Sequence, residues 1–95
     1  MPGDELIGAY LLTAHAAEQA RFRGIQLDRV REVLTSPEQR VDVRPGRVVL
    51  QSRYSLGSPP KMYLLRVVVD TDRFPLEVVT VYRTSKVHRY WRSDS

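Results

Sequence analysis

The 95-residue chain has no cysteine, which excludes a disulfide framework, a thiolate nucleophile and any zinc or iron–sulfur site built on thiolates. Its two histidines, His15 and His88, are too few to make a metal site alone. No apolar run approaches the ~20 residues that a membrane-spanning helix requires, and Asp4 and Glu5 stand where a signal peptide would carry positive charge. The paired-acid, zinc and Gly-rich phosphate motifs of nucleases are also missing, so no metal or cofactor is expected and any catalysis should be metal-independent. Lysine is scarce, at two of 15 basic residues, the other 13 being arginine. Together these absences describe a soluble, cytoplasmic chain long enough for one core. The expected organisation is a single domain over residues 1–95, with 1–9 and 93–95 as flexible ends.

What is present is positive charge, unevenly placed. The 15 basic residues face 11 acidic ones, a net +4 with neutral histidine. Residues 1–40 hold five arginines and six acids, whereas residues 41–95 hold ten basic residues and five acids. Arginine's planar fork grips phosphate or carboxylate with two donors at once, which points to nucleic acid or an acidic partner; a GC-rich genome explains the arginine bias equally well. The sharpest segment runs from Arg83 to Arg92, with Lys86, His88 and Arg89 between them, no acid, and Tyr82, Tyr90 and Trp91 as aromatic neighbours.

Hydrophobic period divides the chain. Tyr10–Leu12 is too short for more than an edge strand. Thr13 then sits where an N-cap opens a helix through Ala14, Ala16, Ala17, Ala20 and Phe22, with Gly24 as its stop. Leu27, Val30, Val33 and Leu34 repeat at helical spacing in a second helix that Pro37 closes. From Val41 the period is two: strands over Arg40–Arg44 and Arg47–Tyr54 flank a Pro45-Gly46 turn, a loop covers Ser55–Pro60, and strands Lys61–Asp70 and Leu76–Thr84 follow. The expected fold is α+β, two N-terminal helices packed on a curved four-stranded antiparallel sheet.

Taking the last hairpin as symmetric about Arg73 sets Arg66 opposite Thr80 and Leu64 opposite Tyr82. Tyr63, Leu65, Val67, Val69, Val79 and Val81 then form an apolar face for the helices. Met62, Leu64, Arg66, Val68, Val78, Thr80, Tyr82 and Thr84 form the other. A guanidinium flanked by Leu64, Leu65, Val67 and Val68 needs a partner. Two readings serve: an ion pair with Asp70, Glu77 or a helix carboxylate, or a phosphate clamp on an open sheet face. His15, near a helix start, reads either as a surface residue or, if that end faces the polar side of the hairpin, as a neighbour of Arg66, Thr80 and Tyr82 around one anion. The terminal cluster reads either as a solvated tail with Trp91 folded back on the core, or as basic and aromatic side chains for RNA.

The run Leu12-Thr13-x-His15-Ala16, then Arg23-Gly24-Ile25, Val30, Leu34 and Pro37-Glu38, then Tyr63-Leu64-Leu65-Arg66-Val67, and finally the pattern T-x-Y-[RK]-T-S-K-x-x-[RK]-Y-W from Thr80 to Trp91, resembles a family of small bacterial proteins carrying a domain of unknown function. That family resembles RelE/BrnT-type toxins at a distance. The resemblance covers about residues 10–92. It implies a RelE-like fold and a small basic ribonuclease that cuts RNA, often on the ribosome, and is silenced by a cognate antitoxin encoded next door. The matched positions are His15, Arg66, Thr80, Tyr82, Thr84 and Lys86. One departure is Gln19, where many relatives carry arginine four residues after the histidine.

The sequence thus leads to a metal-independent endoribonuclease that cleaves by attack of a ribose 2′-hydroxyl. His15 or Tyr82 handles protons, Arg66 and Lys86 hold the phosphate, and Thr80 and Thr84 position it. Arg83, Arg89, Tyr90 and Trp91 extend the RNA-binding surface. The alternative is a non-catalytic module that uses the same basic sheet face for RNA or an acidic protein. A third reading pairs two copies through a sheet edge or the Trp91 tail.

Overall fold

The structure is a computed structural model that describes residues 3–93. Its elements in chain order are β1 (Glu5–Ile7), β2 (Tyr10–Leu12), α1 (Ala14–Phe22), α2 (Leu27–Thr35), β3 (Gln39–Arg44), β4 (Arg47–Leu56), β5 (Lys61–Asp70), β6 (Leu76–Thr84) and α3 (Val87–Tyr90). All six strands lie in one sheet of order β1-β2-β6-β5-β4-β3. The sheet is mixed, because β2 runs parallel to β6 while the other pairs are antiparallel. This corrects the expected four-stranded antiparallel sheet with two helices and, with it, the RelE-like architecture.

The difference begins at the N-terminus. Gly8, at φ +60°, turns the chain in two residues and lets Ile7 face Tyr10 across a short hairpin. Residues 5–7, inside the stretch expected as a flexible end, therefore form β1, and the Asp4 carboxylate beside it accepts from the Ala14 amide at 2.7 Å. Glu5 takes two donors of Arg31 on α2, each at 2.9 Å. The rest of the expected flexible ends, residues 1–2 and 94–95, lies outside the described residues.

α1 begins as the sequence indicates, with the Thr13 hydroxyl accepting from the Ala16 amide at 3.1 Å. Its Ala16, Ala17 and Ala20, with Val30, Val33 and Leu34 of α2, pack on Leu50, Leu65, Val67, Val69, Val78 and Val81 of the sheet. Phe22 is not part of this core: it is 93 % exposed, since two residues beyond Ala20 places it about 200° around the helix.

The β5–β6 register differs from the symmetric hairpin. Arg66 faces Tyr82 and Leu64 faces Thr84. Val68 pairs with Thr80 but Val69 with Val78, so Val79 is the extra residue of a β-bulge. The bulge turns Val78 inward with Val81, both at most 1 % exposed, whereas the simple alternation puts Val79 there.

The opposite sheet face carries its own apolar residues, Val41, Val49 and Leu64, all buried and separate from the helix-side core. α3 packs against β5 and helps to cover them. Among the described residues no helix is long and apolar enough to cross a membrane.

Candidate functional site

One row of side chains crosses four strands on the α3 side of the sheet: Gln39, Gln51, Arg66 and Tyr82, each directly opposite the next. Gln51 is completely buried and Arg66 only 9 % exposed. A buried guanidinium needs compensation, and among the described residues it comes without a carboxylate. Arg66 Nε donates to Gln51 Oε1 at 3.0 Å, Nη1 donates to the Tyr82 hydroxyl at 2.6 Å, and the Tyr90 ring lies 4.4 Å from the guanidinium carbon. Of the partners expected for Arg66, Glu77 is held by Arg73, and Asp70 by Arg47 at 2.7 Å and by Arg73. The Arg47 hydrogen bond keeps the Asp70 carboxyl below the usual range.

The same row fastens the C-terminal segment. Gln51 Nε2 donates to the Tyr90 carbonyl at 3.2 Å and to Gln39 Oε1 at 2.8 Å. Gln39 in turn exchanges two hydrogen bonds with the Arg92 backbone, at 2.6 and 3.0 Å. Trp91 lies under the Arg53 guanidinium, 3.9 Å from the ring centroid. Arg53 is itself paired with Glu38, whose carboxyl is held below its ordinary range by the arginine's side-chain and backbone donors. Tyr90 and Trp91, read from sequence as stacking surfaces for bases, are thus each engaged by an arginine of the sheet.

A second cluster lies where α1 meets β6. His15, Gln19 and Arg23 follow one another at intervals of four along the α1 segment, a spacing that keeps them on one side. His15 Nε2 lies 3.2 Å from Gln19 Nε2, Gln19 Oε1 accepts from the Thr80 hydroxyl at 2.9 Å, and Arg23 donates to that hydroxyl at 3.3 Å and to the Val81 carbonyl at 2.6 Å. Thr80 is therefore the meeting point of the two elements. Tyr82 lies two residues along the same strand, on the same face and ~7 Å away, so the His15 cluster and the Arg66 row adjoin through β6. Arg83 points to the helix side, donating to the Gly24 carbonyl at 3.0 Å with its guanidinium over Tyr63. Gly24 serves here by its φ of +71°. Lys86 is exposed, its amide donating to the Thr84 hydroxyl, and Arg89 is exposed on α3 beside Tyr90.

The cations divide by partner. Among the described residues, Arg29, Arg31, Arg40, Arg47, Arg53 and Arg73 are salt-bridged to carboxylates. Arg21, Arg23, Arg66, Arg83, Lys86 and Arg89 are not, and all six belong to the α1, β5–β6 and α3 segments. Arg44 and Lys61, at strand ends near two turns, likewise have no salt bridge among the described residues. The residues that sequence reasoning missed are Gln51 and Gln39, while Gln19 and Arg23 were noted as motif positions without a role; the alternation of β4 places Gln51 on the Arg66 face, which was the available signal.

Residues 12–83 match the family described as Domain of unknown function (DUF4258). The chain belongs to this family. The DUF4258 match takes in His15, Gln19, Arg23, Gln51, Arg66, Thr80 and Tyr82, and it ends at Arg83, before Thr84, Lys86, Arg89, Tyr90 and Trp91. No curated protein and no solved structure matches the chain.

Proposed function

We propose that this DUF4258 domain binds the phosphate backbone of RNA along α1, β6 and α3 and cleaves it there without a metal, as an endoribonuclease toxin restrained by a cognate antitoxin. The carrying observation is the distribution of charge: Arg21, Arg23, Arg83, Lys86 and Arg89, none with a carboxylate partner among the described residues, lie on or at the ends of α1, β6 and α3, and α1 and β6 also carry His15 and the Thr80 and Tyr82 hydroxyls. Polyanion binding rests on such unneutralised charge. The distant resemblance of the family to RelE/BrnT-type toxins adds the reaction class; the mixed six-stranded sheet adds nothing to it.

In the reaction, His15 takes the proton of a ribose 2′-hydroxyl, the O2′–P bond forms as the P–O5′ bond breaks, and the proton passes to the departing 5′-oxygen. Arg23, set against Thr80, offsets the charge that builds on the phosphate. Arg66 holds Tyr82 in place from behind. Incubating the protein with RNA in EDTA tests this: the wild type yields 2′,3′-cyclic phosphate ends, while His15→Ala binds RNA and leaves it intact. Growth arrest on expression in bacteria, relieved by the adjacent gene, tests the antitoxin.

A second reading, an RNA-binding module without catalysis, is favoured by the engagement of both proton-handling side chains, His15 with Gln19 and Tyr82 with Arg66. Tight binding with no cleavage by the wild type selects it.

A further inference from the structure

We infer that Phe22 is a stacking platform for an unpaired nucleobase, which makes the preferred ligand single-stranded RNA. This rests on the RNA reading above and gives it a substrate class. The side chain is 93 % exposed on the last turn of α1, where a phenyl ring left in water forfeits most of the stabilisation that burial gives an aromatic. It lines an open hollow with His15, Glu18, Gln19, Arg21 and Arg23. Arg21 and Arg23, its two neighbours in sequence, line the same hollow and form no salt bridge among the described residues, Arg23 being held by the Thr80 hydroxyl and the Val81 carbonyl. Glu18, one turn before Phe22, is the acidic residue that lines this hollow.

The aromatics that the sequence offers for stacking in the tail are occupied: Tyr90 by Arg66 and Trp91 by Arg53. Phe74 provides an internal comparison. It is also exposed, at 84 %, but its neighbour Arg73 is held by Asp70, Asp72 and Glu77. An exposed ring in a neutralised setting has no means of attracting a phosphate chain. Phe22 combines the ring with unneutralised charge, the pairing that single-strand binders use.

The test is fluorescence anisotropy of a labelled single-stranded RNA oligomer, and of its duplex, against the wild type, Phe22→Ala, Phe22→Trp and Phe74→Ala. Because both rings are exposed, the variants fold. Phe22→Ala is expected to weaken single-strand binding about 5- to 150-fold, Phe22→Trp to retain it and Phe74→Ala to match the wild type. The duplex should bind more weakly and be indifferent to Phe22. Wild-type affinity in Phe22→Ala, or an equal loss in Phe74→Ala, overturns the stacking role while leaving the RNA reading intact. A wild type that binds neither RNA removes both.

Discussion

The Arg66 guanidinium donates to the hydroxyl of Tyr82 at 2.6 Å from the position directly opposite it on the neighbouring strand. A buried cation is thereby made part of the sheet's own cross-strand pairing, compensated by an amide, a hydroxyl and a ring rather than by a carboxylate. Such a group supports the fold from inside and leaves the binding of a polyanion to the exposed cations around it.

Arg66→Ala should therefore act on stability first. It leaves the buried Gln51 side-chain carbonyl and the half-buried Tyr82 hydroxyl without this partner, a loss of about 3 kcal/mol. Lys86→Ala, on an exposed side chain, should change stability by less than about 0.5 kcal/mol. Chemical denaturation of the two variants measures the contrast, and equal stability would show that Arg66 carries no structural role.

The C-terminal segment should loosen when Gln51 is removed. Gln51→Ala deletes the hydrogen bond to the Tyr90 carbonyl and the support of Gln39. Trp91 is the chain's single tryptophan, so its fluorescence reports this directly. The expected result is a red-shifted emission and stronger quenching by acrylamide, with unchanged spectra contradicting the fastening role of Gln51.

Acid should destabilise the fold through its paired carboxylates. The Arg47 hydrogen bond lowers the Asp70 pKa, and Arg31 and Arg53 do the same for Glu5 and Glu38. A carboxyl that titrates lower when folded contributes stability that is complete above its unfolded value and is lost as pH falls through the folded one. The melting temperature should thus decline as pH falls through and below the ordinary carboxylate range. Asp70→Asn should lower it at neutrality and flatten the decline; an unchanged slope would show that this pair contributes nothing to acid sensitivity.

Much of this fold was legible in the sequence because its signals are local. Thr13 and Gly24 bracket α1, and the β-branched runs give β5 and β6 at the limits the structure shows. The sheet's size was not legible, since β1 and β2 have three residues each and β2 joins β6 through a parallel pairing distant in sequence. The hairpin register escaped for a related reason: Asp70 faces Glu77, one residue off symmetry about Arg73, and the bulge at Val79, which answers to packing of Val78 and Val81 against the helices, adds the second residue of offset. Arg66 was recognisable as anomalous, but its partner Gln51 lies 15 residues away on another strand. Phe22 was legible in principle, because it falls off the stripe of Ala16, Ala17 and Ala20.

The central claim, that the exposed cations of α1, β6 and α3 without carboxylate partners form the RNA-binding surface, is tested most directly by the salt dependence of RNA affinity. The combined variant Arg21→Ala, Lys86→Ala and Arg89→Ala should bind more weakly than the wild type. The slope of log K against log salt should also become shallower by about 0.7 for each phosphate that the variant no longer neutralises. Replacing the ion-paired Arg40 and Arg73 by alanine should leave that slope as it is. A wild-type slope in the triple variant, or an equal change in the ion-paired control, would contradict the account.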